Sequence, residues 1–334
     1  MDEVELSVVV AVYACDEALP ELHRRLTESL DWTNGSYELV FVEDRGPDAS
    51  WQTLRKLAAS DPRVRAFRLS RNFGQHAAIT AGLAQSRGRW TVVMDCDLQD
   101  PPEEIGRLYA KAAEGYDIVL ARRSRKRLPL FRRLASSLYF KLLNTFAKTS
   151  IDPGHGSFSI ISRKVVDAYL TFRDRDRHYL FVLYWLGFER ASIEYAHAER
   201  AAGKSSYTFR RLLGHALGGM FFQTTVLLRW VIYMGFALAF LGVGAAVYFV
   251  VARISGNVYP GWTSLVVLLL VIGGLITIST GVTGLYIGRV FNEARGRPLF
   301  VIDETLGWED EPAGLGRADA PLEADATGDR PRGL

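Results

Sequence analysis

The chain has 334 residues, 49% of them hydrophobic and 23% charged, with a formal net charge of +3. That composition builds a packed core and excludes a wholly disordered chain, and so small a net charge creates no global field of the kind a nucleic-acid binder uses. The two cysteines, Cys15 and Cys96, show no CxxC spacing and no histidine cluster, so neither a disulfide framework nor a zinc site is expected, and a reducing cytoplasm is the simplest setting.

The acidic opening, Met1 to Glu5, lacks a signal-peptide pattern. Val-rich runs bounded by Gly, Pro, Asp or Asn then predict strands over Leu6–Val12, Tyr37–Val42, Val64–Leu69, Trp90–Asp95 and Asp117–Ala121. Helical patterns lie between them, at about 16–30, 48–60, 75–86 and 102–114. This alternation implies an α/β fold, a mainly parallel sheet with helices on both faces. Such sheets bind ligands at the carboxyl ends of their strands. Polar clusters follow the predicted strands: Glu43-Asp44 after the second, Arg71-Asn72 after the third, Asp95-Cys96-Asp97 after the fourth and Arg122-Arg123 after the fifth.

After about residue 200 the pattern changes. Apolar residues at 209, 212, 213, 216, 217 and 220 fall at helical spacing, with Arg210, Arg211 and His215 opposite. This is an amphipathic helix, either at a membrane surface or on the surface of the soluble domain. Two uncharged runs follow, Trp230–Ala252 and Ser264–Gly288. At ~1.5 Å per residue each would span a bilayer's hydrocarbon core. A buried core helix is the alternative, but a soluble domain rarely needs two of this length. Lys204, Arg210, Arg211 and Arg229 precede the first run, and Arg289, Arg295 and Arg297 follow the second. The excess of positive charge puts both ends in the cytoplasm. Gly284 and Gly288 form a GxxxG that would pack the spans together or build a homo-oligomer. Expected boundaries are therefore a cytoplasmic domain at 1–205, a juxtamembrane helix at 206–229, a two-helix hairpin at 230–290 and a C-terminal segment at 291–334. From about 308 that segment is too poor in large apolar side chains to order itself.

Asp95 ends an apolar strand and Asp97 lies two residues on, so both carboxylates can project to one side. Two hard oxygen ligands at a strand end suit Mg²⁺ or Mn²⁺ shared with substrate phosphates; a pair of turn aspartates fits the same pattern. Asp100, before Pro101-Pro102, reads as a helix N-cap. A carboxylate at Glu43-Asp44 can accept hydrogen bonds from a ribose or a base, or make a turn. Arg122 to Arg127 holds five cations in six positions. Such a run is either a solvated face or a site for phosphate or anionic lipid head groups.

Taken together, LSRNFGQHAAITAG (Leu69–Gly82), MDCDLQDPPE (Met94–Glu103) and GYDIVLARRSR (Gly115–Arg125) resemble the polyprenyl-phosphate glycosyltransferases of glycosyltransferase family 2. Val8–Tyr13, Tyr37–Asp44, RKVVD (Arg163–Asp167), GKSSY (Gly203–Tyr207) and RPLFVI (Arg297–Ile302) match as well, so the resemblance covers roughly 5–302. It implies a Rossmann-like nucleotide-sugar-binding domain on a membrane anchor. It also implies inverting transfer from a nucleotide-sugar to a polyprenyl phosphate at the cytoplasmic face of the cell membrane. Val12, Tyr13, Asp44, Arg71, Asp95, Asp97 and Gln99 would then serve the donor, with Asp95 and Asp97 on Mg²⁺ or Mn²⁺. Arg122, Arg123, Arg125 and Lys204 would meet phosphates.

Two positions depart from the family pattern. Ala14-Cys15 stands where members usually carry Asn-Glu. Ser157 stands where bacterial members often carry the Asp proposed as catalytic base, which leaves Asp152 and His155 as nearby candidates beside Asp97 and Arg122. A phosphate monoester is mostly dianionic at neutral pH, its second pKa being ~6, so positioning and charge stabilisation could supply most of the rate. The competing readings are a processive transferase, which two spans would leave without a channel, and a non-catalytic membrane scaffold that kept the fold.

Overall fold

A computed structural model describes residues 4–123, 152, 154–172, 174, 177–196 and 261–307, with parts of 231–255. The chain divides into two compact units, one of Met1–Leu128, Ile151–Lys204 and Arg297–Leu334, the other of Pro129–Ser150 and Ser205–Gly296.

The first unit is built on an eight-stranded sheet. Its strands are β1 (Leu6–Val12), β2 (Tyr37–Glu43), β3 (Val64–Leu69), β4 (Trp90–Asp95), β5 (Ile118–Arg123), β6 (His155–Ser162), β7 (Arg190–Tyr195) and β8 (Ile302–Leu306), in the order β7-β5-β6-β4-β1-β2-β3-β8. Every residue of β1 and β2 is buried, as expected of parallel strands covered on both faces. The central β4-β1-β2-β3 pairings are parallel. The sheet is nevertheless mixed: β6 runs antiparallel to both β4 and β5, and β8 antiparallel to β3. The expected Rossmann-like core is therefore present, extended by strands that sequence reading did not mark.

Helices α1 (Leu19–Ser29), α2 (Ser50–Ser60), α3 (Gln75–Gln85), α4 (Ile105–Ala112), α5 (Arg163–Leu170) and α6 (Tyr179–Leu186) belong to this unit. The chain runs β1, β2, β3 outward and then returns across the sheet to place β4 on the other side of β1. That reversal, between β1 and β4, is where such sheets open a ligand crevice at their carboxyl ends. Helix α3 lies close over the same strands. A Cβ added at Gly82 would sit 2.3 Å from Val9 Cγ1 and 3.3 Å from Val42 Cγ2, so the glycine allows the helix its approach.

The opposite edge of the sheet is held by a buried polar network. Arg65 Nη1 lies 2.5 Å from Glu38 Oε2, with both side chains 7% exposed. Ser7 donates its hydroxyl to Glu38 Oε1 at 2.6 Å, and the backbone N–H of Arg87 donates to the same oxygen at 2.7 Å.

In the second unit, α7 (Trp262–Ala294) has 33 residues. Its Val271–Gly288 stretch, with a mean hydropathy of 1.5, makes it the one helix among the described residues long and apolar enough to cross a membrane. The expected first span, 230–252, lies partly outside the described residues; those described between 231 and 254 are helical. The juxtamembrane helix at 206–229 and the tail from 308 lie outside them altogether.

Candidate active site

The carboxyl edge of the sheet collects most of the expected residues. Val12 closes β1 in the core, and Tyr13 emerges from it 52% exposed. In register Val12 pairs with Glu43, and Ala11 pairs with Asp95. Three strand ends thus bring Tyr13, Asp44 and Asp95 to one rim.

Asp95 is the centre of a crowded acidic group. Its Oδ1 accepts a hydrogen bond from Gln75 Nε2 at 2.6 Å and another from the Ser157 hydroxyl at 3.1 Å. Burial pushes its carboxyl up to about 6, and the charges of Asp100 and Asp97 add to the rise; Ser157 and Arg123 oppose it. Asp97 Oδ1 accepts the backbone N–H of Gln99 at 3.2 Å, a turn in which Leu98 takes a left-handed φ of +61°.

The resting protein should feel that crowding. A carboxyl raised above its unfolded value (~3.9) favours the fold at low pH, and that contribution is lost as pH rises through about 6. Asp95→Asn, which keeps an acceptor for Gln75, is therefore expected to stabilise the metal-free protein at pH 7.5 by about 1 kcal/mol, ~3 °C in Tm. The gain should shrink as pH falls below about 6 and vanish below ~4. Thermal melts at the two pH values check this, and a variant equally shifted at both would contradict it.

Asp44 is almost fully buried, and its two oxygens accept the backbone N–H groups of Phe73 and Gly74 at 2.7 and 2.8 Å. It thereby fixes the loop that starts α3 and delivers Gln75 to Asp95. Burial raises its carboxyl and these two hydrogen bonds oppose the rise. Glu43 is spent locally, accepting from Gly46 N–H at 2.5 Å and Arg68 Nε at 2.9 Å. Arg71, on the same loop, is exposed and stacks its guanidinium 4.1 Å over the Phe73 ring.

Arg122 and Arg123 end β5 but face different partners. Arg122 pairs with Asp152 at 3.1 Å and Glu194 at 2.7 Å. Arg123 reaches inward, its Nε donating to the Tyr195 hydroxyl at 3.2 Å while Nη2 stands 3.7 Å from Asp100. Asp100, expected to cap a helix, does not; Pro101 occupies the cap position of a short 3-10 turn at Pro102–Glu104. Its buried carboxylate instead accepts a hydrogen bond from Tyr195. Gly156 lies against Arg123, where a Cβ would come 3.2 Å from Nη2. Arg125 and Lys204 lie outside the described residues.

Both candidate bases are engaged. Asp152 holds Arg122 and accepts Gly154 N–H at 2.8 Å. His155 places Nδ1 2.8 Å from the Tyr184 hydroxyl and Nε2 2.9 Å from the Ser192 hydroxyl, and burial lowers its pKa. Sequence reasoning missed Gln75, Ser157 as a partner of Asp95, and the Asp100–Tyr195–Arg123 group. Gln75 lay in a motif already singled out; Tyr195 carried no local signal.

The cysteines require a correction. Expected to be unpaired, Cys15 and Cys96 are joined by a disulfide, with their Cα atoms 6.2 Å apart and 81 positions between them in sequence. Parallel pairing of β1 with β4 puts the two following loops side by side, which no sequence spacing reveals.

Acidic residues at a switch point beside two arginines are an arrangement whose chemistry suits a charged, phosphate-bearing ligand. A cavity of about 490 Å³, by contrast, is lined by Arg89, Trp90, Tyr109 and Asp117 among others and contains none of these residues. Residues 7–170 match the model of glycosyl transferase family 2. An uncharacterized glycosyltransferase of Bacillus subtilis, YkcC, is 34% identical over 312 residues, which cover 92% of this chain and 96% of that protein. The chain belongs to glycosyl transferase family 2. Within it, the chain is 35% identical to the undecaprenyl-phosphate 4-deoxy-4-formamido-L-arabinose transferase of Proteus mirabilis, over 91% of this chain and 94% of that one. It is 33% identical to the bactoprenol glucosyl transferase of Shigella phage SfII, over 90% and 98%. It is a glycosyltransferase, and the rim of β1, β2 and β4 is the candidate active site of this family 2 enzyme.

Proposed function

We propose that the chain transfers a sugar, with inversion, from a nucleotide-sugar to a polyprenyl phosphate at the cytoplasmic face of the cell membrane. The observation that carries this reading is Asp95 and Asp97 at the β1/β4 switch point, with Arg123 close enough for its charge to act on Asp95. Relatives matched almost end to end and named for undecaprenyl-phosphate or bactoprenol transfer support the lipid acceptor. Helix α7, whose apolar stretch is followed by Arg289, Arg295 and Arg297, supports a bilayer anchor with those cations inside.

The acidic group fits Mg²⁺ or Mn²⁺. Burial raises the Asp95 carboxyl to about 6 with the charges of Asp100 and Asp97 adding to the rise, and a cation would relieve that crowding. With two carboxylates from the chain, such an ion would take its remaining ligands from phosphates and water. Asp95 and Asp97 would hold it, and bound there it would supply charge neutralisation to a leaving diphosphate.

The remaining work falls to the chain's own groups. Tyr13, Arg71 and Asp44 border the nucleoside end of the rim, and Gln99 stands beside Asp97. Arg123, braced by Tyr195 and Asp100, presents a fixed cation to phosphate, and Arg122 a second. An acceptor phosphate oxygen attacks the anomeric carbon opposite the diphosphate; the new C–O bond forms as the old one breaks, and the nucleoside diphosphate leaves with the electron pair. With Ser157 spent on Asp95, Asp152 on Arg122 and His155 on Tyr184 and Ser192, the acceptor's own negative charge makes it the nucleophile and no proton need be removed.

Membranes containing the protein should move radiolabel from a nucleotide-sugar into the organic phase when given polyprenyl phosphate and Mn²⁺ or Mg²⁺, and stop when the ion is chelated. A panel of UDP-, GDP- and dTDP-sugars identifies the donor. Tight donor binding without labelled lipid from any of them would instead make the chain a binding scaffold.

A further inference from the structure

We infer that the Cys15–Cys96 pair is a redox-sensitive tie across the donor side of the active site, closed as a disulfide and opened by a thiol reductant. This rests on the reading of the β1/β4 rim as the nucleotide-sugar site.

The bond joins the two loops that leave the adjacent parallel strands β1 and β4. Cys96 lies between Asp95 and Asp97 in the chain, and only 5% of it is exposed. Cys15 lies just after Tyr13 and Ala14, and its backbone carbonyl accepts the N–H groups of Ala18 and Leu19 that open α1. On its other side the Cys15 loop is held by hydrogen bonds, Cys15 N–H to the Ser50 hydroxyl at 3.2 Å and Asp16 N–H to Asp48 at 2.9 Å.

Both tied loops contain a left-handed residue that is not glycine. Ala14 has φ +55° and Leu98 has φ +61°. Such conformations are costly and persist where their surroundings over-determine them. A covalent link one residue from Ala14 and two from Leu98 is such a constraint. Closed, it holds Tyr13 on one loop and Asp95 and Asp97 on the other in a fixed relation. Open, it lets the Ala14 turn relax, and the donor must then order both loops as it binds.

The chemistry balances as thiol–disulfide exchange. Two equivalents of a low-molecular-weight thiol, or one dithiol, attack the Sγ–Sγ bond; two electrons and two protons pass to Cys15 and Cys96, and the reagent leaves as its own disulfide. In a reducing compartment the resting pair is the dithiol, and oxidation by a small disulfide of the glutathione class closes it.

The test uses the full-length protein in detergent, oxidised or treated with dithiothreitol, with maleimide labelling and mass measurement to establish the state of both thiols. Binding of UDP, GDP and dTDP in the presence of Mn²⁺ is titrated in each state. Reduction is expected to weaken the preferred nucleotide by about tenfold, comparable to the cost of fixing one or two residues of backbone. Re-oxidation should restore the original affinity, and Cys15→Ser should bind like the reduced form in both conditions. Equal affinities in verified oxidised and reduced protein overturn the tie and leave the transferase reading standing. Failure of all three nucleotides to bind in either state overturns the donor site itself and the tie with it. If Cys15→Ser does not fold, the wild-type comparison alone decides.

Discussion

Asp97→Ala is expected to lower kcat for sugar transfer by about 10³-fold, ~4 kcal/mol of lost transition-state stabilisation. Asp97 is one of two carboxylates placed to hold the cation against the leaving group, and it accepts the turn hydrogen bond from Gln99 N–H at a long 3.2 Å. The fold should therefore survive, with Tm changed by no more than a few degrees. Asp97→Asn keeps the turn acceptor and removes the charge; it should lose nearly as much activity with still less effect on Tm. Transfer rates at saturating donor and thermal melts separate the two effects. Asp95→Asn should fall to a similar rate, and the double variant should be little worse than either single one, because residues acting on one ion are not additive. Retention of a tenth or more of the wild-type rate by Asp97→Ala would remove it from the mechanism.

Glu38→Ala is expected to destabilise the first unit by about 3–5 kcal/mol, roughly 10 °C in Tm. The substitution strips the neutralising carboxylate from a guanidinium that is 7% exposed and leaves it only neutral acceptors such as the Gln85 carbonyl at 2.9 Å. Burial already lowers the Arg65 pKa, with Glu38 holding it up. It also removes the acceptor of Ser7 and of the Arg87 N–H. Replacing Glu38 and Arg65 together by Leu and Met should recover much of the loss, because the cost lies in the stranded charge more than in the missing pair. Denaturant melts of the singles and the double form the cycle; an unchanged single variant would show that water reaches Arg65.

The central sheet was legible because its strands are extreme. Leu6–Val12, Val64–Leu69 and Trp90–Asp95 are observed with the bounds that their Val-rich runs predict, and Tyr37–Val42 extends by one residue to Glu43. Parallel strands covered on both faces favour apolar runs, which β1 shows most fully, whereas β2 carries Glu38 and β3 carries Arg65 and Arg68. β6, β7 and β8 escaped for the opposite reason. HGSFSIIS opens with small and polar residues, and in RASIEY and IDETL exposed and half-buried positions alternate. Strands such as these are defined by what they pair with.

The site shows the same division. Asp95 and Asp97 could be read from their position at a strand end. The partners that hold that group, Gln75, Ser157, Arg123 and Tyr195, come from four other elements and converge only in the folded sheet. The disulfide is the sharpest case, since 81 positions separate two residues that the β1/β4 reversal makes neighbours. Asp100 shows the converse error: local sequence offered a helix cap, and tertiary context used the carboxylate to hold a tyrosine and an arginine.

β8 lies beyond α7 in the chain, yet it completes the sheet. It covers the free edge of β3, and its Glu304 reaches Trp51 and Arg55 of α2 and Arg68 of β3, while Asp303 pairs with Arg45. The catalytic domain is consequently discontinuous, and a soluble version cannot be made by stopping the chain after β7. A protein ending there would present the bare hydrogen-bonding edge of β3 to its neighbours, inviting edge-to-edge aggregation. Grafting the 297–307 segment back through a linker, in place of the intervening residues, would be the way to keep the sheet whole in a shorter chain.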